Sequence, residues 1–194
     1  MNTRIKTDCT SEVLSFDEVR QFIKFEDTSE GDEVGLINNM IKAVRTHLER
    51  RLEMSFNEKT YETYFKHSEH PFILPISPVI SITKVETVDY EGTKTELTLN
   101  TDYHKKGLYE IEIVPYSIST VPNPWFNFWS SEYDLLVTYK AGYGDDDTED
   151  LPYDLRQAML RQVIKWYDNR DDFRELNMMP EIDSIVRKYR KTFV

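Results

Sequence analysis

Three side chains near the middle of the sequence, His67, Glu69 and His70, are of types that bind a divalent metal. Two imidazoles three residues apart on a loop can share a zinc ion, and the carboxylate between them can serve as a further ligand. The set is short of a ligand, and His104 is the remaining candidate; His47 falls within a helical stretch and reads as a polar boundary residue rather than a general base. Ligand types spaced this loosely are ordinary in a polar loop, so no metal is assigned. The run Asp145-Asp146-Asp147-Thr148-Glu149-Asp150 offers the clustered carboxylates that hard cations take. It lacks the central glycine and distal glutamate of an EF-hand loop, and acids ahead of a helix are what its positive N-terminal end favours. We read it as a solvated, helix-capping run. Gly142-Tyr143-Gly144 is followed by Asp147 where a dinucleotide fingerprint needs glycine, and aspartates beside a pyrophosphate would repel it. There is no G-x-x-x-x-G-K-[ST], G-x-S-x-G, H-E-x-x-H or C-x-x-C. The single cysteine, Cys9, excludes an internal disulfide and any multi-cysteine metal site. No catalytic residue and no cofactor is expected.

Two other groups of residues suit binding rather than catalysis. Trp125, Phe126, Phe128 and Trp129 put four aromatics in five positions of a proline-bounded stretch. Such rings either close over a sheet as a lid or form the hot spot of a subunit or partner interface, where tryptophan and its neighbours dominate the energetics. At the other end, Arg187, Lys188, Arg190 and Lys191 surround Tyr189. Cations there complement the negative end of a helix, and they also fit a docking tail for an acidic protein surface. The whole chain leans the other way: 35 acidic against 24 basic side chains give a net charge of -11. A mean field of that sign repels polyanions, so free-standing DNA binding is disfavoured. No apolar run approaches the roughly 20 residues needed to span a bilayer. The stretch Met1 to Thr10, with Arg4, Lys6 and Asp8, has no apolar core and is not a secretory signal, so synthesis in the cytoplasm and no membrane partner are expected.

The elements that must carry these groups fall into three zones of different period. In the first, Ser15-Phe16-Asp17-Glu18 matches a capping box, and Val19, Phe22 and Ile23 share the face of a short helix ending near Phe25. A polar stretch leads to a longer helix from Asp32 or Glu33 to Glu53, in which Leu36, Met40, Val44, Leu48 and Leu52 recur every four residues with Ile37 and Ile41 alongside. Each such side chain contributes about 1.5–3 kcal/mol on full burial. The opposite face, with Lys42, Arg45, Glu49, Arg50 and Glu53, should be wet. From Asn57 the pattern turns to alternation. Thr60–Phe65, Ser81–Val88, Thr95–Leu99, Tyr109–Ile113 and Asp134–Tyr139 read as strands, Glu91-Gly92-Thr93 as a hairpin turn, and the prolines of Phe72–Val79 mark an edge or crossover. The third zone opens at Leu151-Pro152 with a helix carrying Leu155, Met159, Val163 and Trp166, stopped near Asn169. Pro180 opens a last segment with Ile182, Ile185, Val186 and Tyr189 on one side. The expected class is α+β: residues 12–56 and 150–194 form one small helical bundle, and residues 57–149 are a mostly antiparallel β region inserted in it.

Several of these stretches, taken in order, resemble a known family. Leu14-Ser15-Phe16-Asp17-Glu18-Val19-Arg20-Gln21-Phe22-Ile23, then an acidic loop, then Leu36-Ile37-Asn38-Asn39-Met40-Ile41-Lys42-Ala43-Val44, resembles the head–tail connector proteins of tailed bacteriophages, also called head completion or adaptor proteins. Leu74-Pro75-Ile76-Ser77-Pro78-Val79 fits the same pattern. The likeness is strongest at Val137-Thr138-Tyr139-Lys140-Ala141-Gly142-Tyr143-Gly144, followed by Leu151-Pro152, Leu155-Arg156-Gln157-Ala158 and Trp166-Tyr167-Asp168-Asn169-Arg170, and it spans roughly residues 12–170. It implies a structural protein of the virion that forms a ring, commonly of twelve subunits, under the portal. The ring extends the DNA channel and offers a platform to the tail or a stopper, with no catalysis and no cofactor. DNA would pass without specific binding, kept off the wall by the acidic surface. Closing a ring takes a patch complementary to a different patch on the same chain, which the long helix or open sheet edges can supply. The basic tip, Arg187, Lys188, Tyr189, Arg190 and Lys191, would dock on the portal; Trp125, Phe126, Phe128 and Trp129 would meet a neighbouring subunit or the tail. The competing readings are a stopper or tail terminator, proteins that are mostly β, and a small metal-dependent enzyme built on His67, Glu69 and His70.

Overall fold

The computed structural model describes residues 1–23, 32–66, 72–106, 110–113, 134–144, 151–169 and 178–189. The architecture is α+β. Four helices are described, α1 (Phe16–Ile23), α2 (Asp32–Leu52), α3 (Tyr153–Asp168) and α4 (Pro180–Tyr189). Eight strands accompany them: β1 (Asn2–Thr7), β2 (Lys59–Phe65), β3 (Phe72–Ile73), β4 (Val79–Val88), β5 (Lys94–Glu96), β6 (Tyr103–Lys106), β7 (Glu110–Ile113) and β8 (Asp134–Ala141). The chain divides into two compact units, Met1–Asp8 with Glu58–Gly142, and Cys9–Asn57 with Tyr143–Val194.

The helical unit starts from the capping box read in the sequence. The Glu18 amide donates to Ser15 Oγ at 3.3 Å, and the Ser15 amide donates to Glu18 Oε2 at 2.9 Å. Each bond satisfies a backbone donor that a helix start leaves without a partner. Glu18 also receives Arg156 of α3, which ties α1 to it. In α2 the buried apolar residues are Ile37, Ile41, Val44, Leu48 and Leu52, at steps of four, three, four and four. Leu36 and Met40, read as part of the stripe, are only half-buried. A strict repeat of four drifts about 40° per step around a 3.6-residue helix, so the mixed spacing is the one that stays on the core side. Leu155, Ala158, Met159, Leu160 and Val163 of α3 and Ile182 of α4 complete this core.

Two residues expected in water are buried: Arg45 is 2% exposed and Glu49 8%. Arg45 donates through Nε and Nη2 to Glu12 at 2.6 and 3.0 Å and through Nη1 to Glu49 Oε2 at 2.9 Å, while Glu49 Oε1 accepts the Phe56 amide at 2.9 Å. Burial alone would push the guanidinium down; the Glu12 hydrogen bonds and the charges of Glu49 and Glu12 outweigh it and hold Arg45 above its ordinary value. The helix then ends in a left-handed residue, Glu53 at φ 55°, and the Met54 amide returns to the Glu49 carbonyl at 3.1 Å. That six-to-one bond caps the last carbonyls and turns Met54 into the core.

In the β unit, β1-β2-β8-β4-β5 form an antiparallel five-stranded sheet and β3-β7-β6 a three-stranded one. Leu135 to Tyr139 of β8 are all buried, as befits a central strand covered on both faces. Tyr139 stacks on Tyr61 at 5.8 Å, and Phe65 meets Phe72 edge-on at 5.5 Å. The expected hairpin turn is present: Gly92 takes φ 84° and its amide bonds the Asp89 carbonyl at 3.0 Å. The first strand, β1, was not expected from the sequence. It has no large apolar face. Arg4 and Lys6 meet the buried carboxylate of Glu62 at 2.6 and 2.8 Å, and Thr3 hydrogen-bonds Thr63 at 2.9 Å. The Lys6 hydrogen bond, with that of Arg4 and against burial, holds the Glu62 carboxyl below the usual carboxylate range.

Replacing Arg45 by alanine leaves Glu49 buried without its cation. We expect the unfolding free energy to fall by about 3–5 kcal/mol, measured by urea denaturation; a loss below about 1 kcal/mol would show that the network carries little of the fold.

Candidate docking surface

The described part of the basic tip lies on α4, where it meets the start of α3. Pro152 precedes α3 as its N-cap, and the Leu155 and Arg156 amides turn back to the Pro152 carbonyl at 2.9 and 3.2 Å. Asp154 therefore sits in the first turn, where a carboxylate complements the helix dipole, and it also accepts the Leu155 amide at 3.0 Å. The approach to α4 is fixed by Gln162, fully buried on α3, whose side-chain oxygen accepts the Met179 amide at 2.8 Å. Arg51 of α2 pairs with Asp183 at 2.5 Å. A cleft of about 280 Å³ lies along α3 and α4, with Ala158, Met179, Ile182 and Ile185 as its apolar wall and Tyr153, Asp154, Gln157 and Arg161 at its rim. Tyr153 is 74% exposed.

The last turn of α4 is latched to Asp154. Lys188 Nζ donates to Oδ2 at 2.8 Å, and the Tyr189 hydroxyl donates to Oδ1 at 2.6 Å. The Lys188 ammonium also lies 5.0 Å from the centre of the Tyr189 ring. Burial would raise the Asp154 carboxyl; the hydrogen bonds from Lys188 and Tyr189 and the lysine charge override it and lower it. The same contact raises Lys188 and Tyr189, in each case first through the hydrogen bond with Asp154. Arg187 stays exposed, with Nε donating to the Asp183 carbonyl at 3.3 Å. Of the cations singled out in the sequence, Lys188 thus has its charge engaged within the unit, and Arg187 presents its own to solvent.

Arg190, Lys191, the aromatic residues Trp125, Phe126, Phe128 and Trp129, the set His67, Glu69 and His70, and the acidic run 145–150 lie outside the described residues. His104 on β6 and His47 on α2 are exposed, so His47 is a surface residue rather than a boundary one. Among the described residues no three His, Cys, Asp or Glu side chains gather as metal ligands, and no helix is long and apolar enough to cross a membrane. The residues that sequence reasoning missed are Tyr153 and Asp154. An acid in the first turn of a proline-led helix is a readable signal; its partners 34 and 35 positions later are not.

The sequence model described as head completion protein matches residues 12–192. No curated protein matches the chain. Among solved structures, a chain in the neck of an empty gene transfer agent particle, computed with C6 symmetry, is similar over 100% of this chain and 97% of its own, with a TM-score of 0.76 at 19% identity. Chains of the native gene transfer agent virion and of the native neck computed with C12 symmetry give TM-scores of 0.74 and 0.70 at the same identity and coverage. At that identity the likeness is one of fold.

The Asp154 latch sets a pH dependence with a defined sign. A carboxyl lowered in the folded state contributes above its unfolded value, near 3.8, and loses that contribution as pH falls through its folded value. Hydrogen exchange of the α4 amides should therefore be unchanged from pH 7 to 5 once corrected for intrinsic rates. It should accelerate below about pH 4, and Asp154→Asn should give that faster exchange already at neutral pH. Equal protection in the variant would show that the latch does not hold α4.

Proposed function

Since this chain belongs to the head completion protein family, we propose that it is a structural component of the head–tail neck of a tailed-phage-like particle. In this reading it forms a ring under the portal, extends the DNA channel, and provides the platform on which a tail or stopper docks. The observation that carries the proposal is the family match over residues 12–192, together with a fold shared end to end with chains from particle necks. The symmetry of those necks, C6 and C12, supports a ring. A ring is a heterologous assembly that closes. Its chemistry is binding alone, so no catalytic residue or cofactor enters, and DNA passes without sequence-specific recognition.

Within that role we assign the helical body, residues 12–56 and 150–194, to the portal side. The β region, 57–149, goes to contacts with neighbouring subunits and the tail. Arg187, with Arg190 and Lys191, supplies the charge for an acidic portal surface, and Lys188 and Tyr189 hold the tip in place through Asp154. Trp125, Phe126, Phe128 and Trp129 are assigned to the subunit or tail interface, for the residue types they bring. The alternative of a stopper or tail terminator is disfavoured by the helical share of the fold, since four of the described elements are helices.

The test is made on particles. Electron microscopy of the neck should show this chain as a ring directly against the portal. Particles made without it should fill with DNA but lose it, or fail to join tails. Normal DNA retention and tail joining in its absence would overturn the proposal.

A further inference from the structure

The outward face of α2 stands against the acidity of the whole. Between Val34 and Leu52 the only acid is Glu49, and it is turned inward to Arg45. What remains exposed on that side is Asn38, Asn39, Lys42, Thr46, His47 and Arg50, with the small residues Gly35 and Ala43 between them and the acid Glu53 just past the C-terminal end of the helix. A Cβ built on Gly35 would meet nothing within 4 Å, so this chain leaves the face open there. Among the described residues Lys42 and Arg50 have no ionic partner, whereas Arg51, at the edge of the face, is taken by Asp183. The Thr46 hydroxyl is already bonded to the Lys42 carbonyl at 2.8 Å. The donors free to act outward are two amides, an imidazole, an ammonium and a guanidinium, laid along about 18 Å of helix at 1.5 Å per residue. That length matches about five base-pair steps of duplex.

We propose that this face of α2 contacts the phosphate backbone of duplex DNA, without reading its sequence. The inference rests on the neck reading for its setting and adds the surface that meets the DNA. The net charge of -11 does not oppose it at contact range. The Debye length is about 8 Å at physiological salt, so charges on other faces are largely screened and the sign of the local face decides. A second copy of the chain is the poorer occupant. Protein interfaces are anchored by aromatic and large apolar side chains, and the largest apolar side chain exposed on this face is Ala43. Two cations per subunit bind weakly, and repetition around a ring would raise the avidity without gripping the DNA at any one point. This replaces the expectation, drawn from composition, that the acidic surface keeps DNA off the wall.

The experiment titrates the isotopically labelled full chain with a 12-base-pair duplex at about 100 mM salt, where the Debye length is about 10 Å and the other faces stay screened, and follows backbone amides by NMR. Shifts should concentrate on residues 35–50 and vanish at about 1 M salt, as phosphate contacts do. Lys42→Glu with Arg50→Glu should weaken binding at least about tenfold and lower the salt slope by about two. Lys94→Glu with Lys105→Glu changes the net charge equally, on exposed strand residues, and should bind like the parent. The inference is overturned if no shift is seen, if the strand pair of substitutions weakens binding as much, or if the α2 amides shift on concentrating the chain without DNA, which would make the face a contact between copies. None of these readouts needs a particle, so the neck reading can fail in the virion test while this one holds, and the reverse.

Discussion

A guanidinium withdrawn from water must keep its charge paired, and in this protein that requirement falls on Arg45. Desolvation costs several kcal/mol per ion, so the site is tolerable only with its hydrogen bonds made. Glu12 answers with both oxygens, Glu49 with one, and the second Glu49 oxygen is committed to the Phe56 amide. Those partners belong to three stretches: the segment before α1, the last turn of α2, and the turn after α2. Val13 and Leu14, next to Glu12, are buried in the core of the helical unit. The left-handed Glu53 and the bond from Met54 to the Glu49 carbonyl act on the same turn. The apolar core supplies most of the stability, and the ion network ties the segment before α1 and the turn after α2 to α2 itself.

Glu62 has the same arrangement in the sheet and a different weight. Its carboxylate is buried, but its partners Arg4 and Lys6 are 63% and 53% exposed. Exposed partners gain little beyond solvent screening, typically 0–1 kcal/mol, so β1 is held mainly by its ladder hydrogen bonds to β2. The two networks place the firm contacts around α2 and the soft ones at the sheet edge, where local opening is least costly.

This contrast also explains what the sequence could disclose. Helix starts were legible where local chemistry decides them: the Ser15–Glu18 box, Pro152 before α3, Pro180 at α4. The class, α+β with a mostly antiparallel sheet, followed from the change of period. Arg45 and Glu49 were placed in water because a charged pair one turn apart reads the same whether solvated or buried; only Glu12, 33 residues away, separates the cases. β1 was invisible for a related reason. A strand whose partners are Glu62 and Thr63 needs no apolar alternation of its own. At the candidate surface the cations of α4 were evident, but the engagement of Lys188 by Asp154 was not, since it depends on how two helices pack.

The charge of this chain is then best counted after internal pairing. Arg45, Arg51, Arg156 and Lys188 are all engaged by carboxylates of the helical unit, so they do not project as free cations. The same pairing removes Glu12, Glu18, Glu49, Asp154 and Asp183 from the list of free anions. What is left is unevenly spread, and the face of α2 keeps Lys42 and Arg50 outside any ion pair among the described residues, with Glu53 at its C-terminal end as the nearby exposed acid. A sum over all side chains gives the sign felt at long range, where it governs solubility and encounter. At a few ångströms the unpaired residues decide, and their placement follows from which carboxylates the fold has already turned inward.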